Sequence, residues 1–160
     1  MDAAALLKRL ETIDWFEGYP EPAKAKTKAA IAEAGALTPI RGDVSGIEGE
    51  GRYSAILDQI AEQSGGLFQP RLIEEDWDDD EDEDFALTFL HGTTRFRARF
   101  SSVDEDIDPA VFALVAKALA TATPPLTLHV CAIDGQAFTA AIATPAAIQR
   151  AVDAKLLPKA

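Results

Sequence analysis

Phe85-Ala86-Leu87-Thr88-Phe89-Leu90-His91-Gly92-Thr93-Thr94-Arg95-Phe96-Arg97-Ala98-Arg99-Phe100 is the stretch that decides the fold class. Its first half alternates Phe85, Leu87 and Phe89 with Ala86, Thr88 and Leu90; its second alternates Phe96, Ala98 and Phe100 with Arg95, Arg97 and Arg99. A period of two belongs to a strand, whose successive side chains point to opposite faces. With His91-Gly92 as a two-residue turn, Leu90 faces Thr93 and Leu87 faces Phe96. That register gathers the phenylalanines on one face and the arginines on the other, whereas a slip of one residue would mix the faces. The expectation is a hairpin with one buried and one solvated face.

Toward the C-terminus, Asp108-Pro109 and the apolar Val111, Phe112, Leu114, Val115 and Leu119 predict a helix over 108–121, stopped by Pro124-Pro125. A second hairpin follows, with 126–133 and 136–143 around Asp134-Gly135. Both its faces are apolar, which predicts strands covered on both sides. Thr144-Pro145 opens a last helix over 145–155. Toward the N-terminus, Tyr53, Ile56, Leu57 and Ile60 mark one face of a helix over 52–64, ended by Gly65-Gly66. Residues 67–77 read as extended, interrupted by Pro70. Asp2 caps a first helix over 2–14, and Pro22 and Gly35 bound a second over 21–34. Pro39, Gly42, Gly46, Gly49 and Gly51 predict an exposed loop over 36–51.

The order implies an α+β fold: N-terminal helices, then an antiparallel sheet of two hairpins in hairpin–helix–hairpin–helix order, with helices on one side. The 160 residues suit a single domain, with a helical N-terminal part and glycine-rich loop over 1–51 and an α+β core over 52–157.

Composition narrows the function classes. No run approaches the 18 apolar residues of a membrane span, and the first residues lack a secretory pattern, so the expected location is cytoplasmic. A single cysteine excludes an intramolecular disulfide, and with two histidines it cannot build a cysteine-type zinc site. The net charge of -12 repels nucleic-acid phosphates and anionic membranes and attracts basic proteins. The expected partner is therefore a protein, with no nucleic acid and no membrane.

From Glu74 to Asp84, ten of eleven residues are acidic, and Trp77 alone interrupts them. Mutual repulsion predicts a solvated, extended middle. The run lacks the glycine and the ligand spacing of an EF-hand loop, so no metal site is expected. Glu74, Glu75, Asp76, Trp77, Asp78, Asp79, Asp80, Glu81 and Asp82 are the candidate partner-binding residues, with the tryptophan as an apolar anchor. The arginine row has two readings. One is internal neutralisation, by ion pairs to the acidic segment should it lie alongside; the other is a small anion-binding patch. His129 and Cys131 share a strand face, but position alone does not make them a reactive pair. There is no serine-centred elbow, HExxH or GxGxxG, and no cofactor or catalytic residue is expected.

Ser64-Gly65-Gly66-Leu67-Phe68-Gln69-Pro70, Trp77, the hairpin from Phe89 to Phe96, Asp134-Gly135-Gln136-Ala137-Phe138 and Thr144-Pro145 occur in an order that resembles a group of small acidic bacterial α+β proteins. These are immunity proteins of polymorphic or contact-delivered toxin systems. The resemblance covers residues 52–157. It implies an α+β fold and a neutralising role, and supplies no catalytic residues. The expected function is thus a non-catalytic, immunity-type inhibitor that neutralises a basic toxin domain through an acidic surface. The alternatives are an adaptor or chaperone-like module for a secreted effector, and a metal-dependent enzyme.

Overall fold

The computed structural model describes residues 2–37, 40–77, 84–101 and 106–158. Helix α1 (Ala3–Thr12) begins where Asp2 Oδ1 accepts the Ala5 N–H at 2.7 Å, and it buries Leu6 and Leu10. Helix α2 (Glu21–Ala34) turns Ala23, Thr27 and Ile31 inward and ends at Gly35, whose φ of 68° is the left-handed stop that glycine adopts without strain. Strand β1 (Ile40–Asp43), helix α3 (Arg52–Gln63), strand β2 (Pro70–Trp77), the hairpin β3 (Asp84–His91) and β4 (Thr94–Ser101), helix α4 (Ala110–Leu119), the hairpin β5 (Thr127–Asp134) and β6 (Ala137–Ala143), and helix α5 (Pro145–Asp153) follow.

The fold is α+β with the helices leading, as the pattern implied. It differs from that pattern in how the strands assemble. Among the described residues the hairpins lie in two separate three-stranded antiparallel sheets, ordered β1-β6-β5 and β2-β3-β4. Each hairpin acquires its third strand from an upstream segment. The helices are not confined to one side either. Phe138, Ala140 and Ile142 of β6 join the core built with α3 and α4, while Ala141 and Ala143 join a second core with α1 and α5. This sheet is covered on both faces, which its apolar strands required. The β2-β3-β4 sheet gives Phe85, Leu87, Phe89 and Phe100 to the first core and leaves its other face open.

The expected exposed loop over 36–51 is in part a strand. Ile40 and Val44 are buried, and β1 pairs with β6 so that Gly42 lies opposite Phe138. A Cβ on Gly42 would sit 2.1 Å from the Phe138 ring, so its glycine makes room for an aromatic rather than marking a loop.

Both hairpin turns fall one residue later than the sequence suggested. His91 pairs with Thr94 and Asp134 with Ala137, which leaves Gly92-Thr93 and Gly135-Gln136 as the turns. Each glycine takes the first turn position, with φ of 63° and 62°, where primed turns demand a positive angle. The shift moves both strands together, so the face assignment survives: Phe89 faces Phe96 and Phe85 faces Phe100.

The N-terminal helices are tied to the C-terminal one. Arg150 Nε donates to the Ile13 carbonyl at 2.6 Å and its guanidinium lies 3.0 Å from Glu17. Thr144 caps α5 at the Ala147 N–H and donates its hydroxyl to Glu17.

Candidate functional site

The first part of the acidic run is β2 itself, which pairs with β3 through Glu74↔Thr88, Glu75↔Leu87, Asp76↔Ala86 and Trp77↔Phe85. Pairing imposes the period of two on the acids. Glu74 and Asp76 stand exposed on the open face, and Glu75 and Trp77 turn toward the core, half-buried. Within β2, Glu74 and Asp76 are thus the acids of the run that stay exposed.

Glu75 and Trp77, expected as partner-binding residues, are half-buried and have partners within the chain. The Glu75 carboxylate accepts the backbone N–H of Gly51 at 2.9 Å and of Ser54 at 3.1 Å, together with the Ser54 hydroxyl. Gly51 has no side chain with which to cap α3, so a strand carboxylate serves that helix terminus from outside. The Trp77 indole N–H donates to the same carboxylate at 3.1 Å, and its ring stacks on Phe85 with centroids 4.5 Å apart. The reason is local: the alternation that sends Glu74 and Asp76 out must send their neighbours in. Asp78, Asp79, Asp80, Glu81 and Asp82 lie outside the described residues.

The arginine row stands on the same open face as Glu74 and Asp76. In register, Thr88 separates Glu74 from Arg97, and Ala86 separates Asp76 from Arg99. The acids and arginines are therefore two strand spacings apart, roughly 9.5 Å between backbones. Among the described residues Glu74, Asp76, Arg95 and Arg97 form no ion pair with one another. Glu74 and Asp76 therefore do not neutralise Arg95 and Arg97: β2 pairs with β3, and β3 keeps these four charges apart.

What results is a groove of about 480 Å³ running over β3. Its floor is the half-buried Thr88 beside the buried Ala86, one wall carries Glu74 and Asp76, and the other carries Arg95 and Arg97. Beside it, β2 bulges between Arg71 and Glu74. Leu72, at the bulge, is 70% exposed with a φ of 52°. Sequence alone did not mark it, because a leucine in a strand-like run reads as core. Arg71 is held by its bond to the Gly92 carbonyl at 2.8 Å.

His129 and Cys131 do not form a reactive pair. His129 Nε2 lies 2.7 Å from the Pro158 carbonyl oxygen, and the Cys131 thiol donates to the backbone carbonyl of His129, not to its ring. Burial pushes the thiol pKa up to about 11, which disfavours the thiolate. Among the described residues, no group of three or more His, Cys, Asp or Glu side chains is arranged to hold a metal ion, and no helix is long and apolar enough to cross a membrane. Compared with protein-family models, curated proteins and solved structures, the chain matches none.

Proposed function

We propose that this chain is a non-catalytic, protein-binding domain that neutralises a basic toxin domain in the cytoplasm of the bacterium producing it. The observation that supports the reading is the open face of β2-β3-β4, where Glu74 and Asp76 remain exposed and without an ion-pair partner among the described residues. Six further acidic residues follow in sequence, Asp78 to Glu83. A toxin that acts on nucleic acid must be basic to approach phosphates. A carboxylate surface steers such a protein into fast encounter and competes with its substrate. The resemblance over 52–157 points to the same role.

The test is affinity capture from the organism of origin, with the immobilised full chain and its Glu74→Lys/Asp76→Lys variant compared at low and high salt. The expected result is a small basic protein retained by the wild type, released as salt rises and lost from the variant. Its toxicity should be suppressed when the wild-type chain is co-expressed. Retention that ignores both salt and the substitutions would instead favour an adaptor that binds through apolar surface.

A further inference from the structure

We infer that the groove over β3 receives an extended polypeptide segment whose cationic and anionic side chains alternate. The inference rests on the reading of this face as a protein-docking surface, and adds a second wall to it. The groove is charged on both sides, Glu74 and Asp76 against Arg95 and Arg97, over a floor of Ala86 and Thr88. A purely cationic segment lying along it would meet the guanidinium groups, and a purely anionic one the carboxylates. Each is rejected by one wall, which is how unpaired like charges confer specificity.

An extended chain lying flat on β3 projects successive side chains to opposite sides. Side chains on one side recur every two residues, roughly 6.6 Å. Glu74 and Asp76 are two residues apart on β2, and Arg95 and Arg97 two apart on β4. The ligand's repeat thus equals the repeat of both walls. Cations at alternate positions reach β2 while the intervening anions reach β4. Thr88, half-buried in mid-groove, is short enough to let a backbone pass over it while the buried Ala86 is already covered, and among the described residues none of the four wall side chains needs to break an existing ion pair to engage.

The probe is a short fluorescein-labelled peptide of alternating lysine and glutamate, titrated with the full chain at low ionic strength and read by anisotropy. Controls are a peptide of identical composition with lysines and glutamates in separate blocks, and an alternating lysine–glycine peptide. The wild type is expected to bind the alternating lysine–glutamate peptide about threefold to tenfold more tightly than either control, the range that a few exposed charge pairs supply. Arg95→Glu/Arg97→Glu makes both walls acidic. It should lose that preference and favour the lysine–glycine peptide. Adding Glu74→Lys/Asp76→Lys inverts the walls and should restore it. Equal affinity of the wild type for the three peptides, or a preference untouched by the arginine substitutions, overturns the inference. Lysine–glycine binding that depends on Glu74 and Asp76 but not on the arginines would sink the groove while leaving the acidic docking surface standing. Loss of all peptide binding, with capture of a basic protein unaffected by Glu74→Lys/Asp76→Lys, would overturn both.

Discussion

Glu75 caps a helix to which it does not belong: its carboxylate on β2 accepts the Ser54 N–H at 3.1 Å, in the first turn of α3. The same carboxylate holds the Gly51 N–H and the Trp77 indole, so one side chain joins a strand, a helix terminus and an aromatic stack. Glu75→Ala is expected to cost about 1–2 kcal/mol, the usual loss for a helix cap with a charged acceptor. Glu75→Gln, which keeps one acceptor oxygen, should cost less. Urea unfolding of both variants checks the order, and equal stability of Glu75→Ala and wild type would remove the cap from the account.

Gly42 and Phe138 share a register position between β1 and β6, with an added Cβ only 2.1 Å from the ring. Gly42→Ala should destabilise by about 1–3 kcal/mol, as overpacking of a filled site does. Phe138→Leu alone should also destabilise, by opening a void, yet in the double variant the two losses should partly cancel. A double-mutant cycle on thermal midpoints measures that coupling; strict additivity would mean that β1 simply moves away.

Glu17 sets a pH dependence. The Thr144 hydroxyl, and then the Arg150 guanidinium at 3.0 Å, hold its carboxyl below the ordinary value of 4.5. The unfolded chain therefore binds this proton more readily than the folded one. The contribution is fully present above about pH 4.5, and is lost as pH falls through the lower folded value. Glu17→Gln should flatten this part of the acid limb of stability against pH, with little change in slope above it. Thr144→Val should flatten it as well, since it removes the largest cause of the shift.

Leu72 is an exposed leucine in left-handed backbone, at φ 52°. Asparagine tolerates that region and leucine does not, so Leu72→Asn should stabilise the chain by about 0.5–1 kcal/mol. Denaturant midpoints decide it. A fall in stability would show that the leucine packs more than its exposure indicates.

Local features were legible in the sequence because neighbouring residues determine them. Asp2 caps α1, Thr144 caps α5 and Gly35 ends α2, each a bond or backbone angle set within a few residues. The alternation of Phe85 to Phe100 fixed which hairpin face is buried, since a strand offers only two faces. It left the turn undecided by one residue, because moving both strands together preserves every face.

The acidic run was visible as charge but not as a site. Which of its carboxylates meet solvent depends on β2 pairing with β3, and that pairing sends Glu75 to α3 and leaves Glu74 and Asp76 outside. The arginines were visible too, though not the strand that intervenes between them and the acids.

Sequence by itself determined the helix ends, the two-faced hairpin and the acidic balance, because caps, side-chain alternation and net charge are local or additive quantities. Only the tertiary structure decided that the hairpins occupy separate sheets, that β1 fits against β6 at Gly42, and that Thr88 lies between Glu74 and Arg97. Those depend on which distant segments meet. A strand's own residues specify how its faces are dressed, while its neighbour is chosen by the packing of the whole chain.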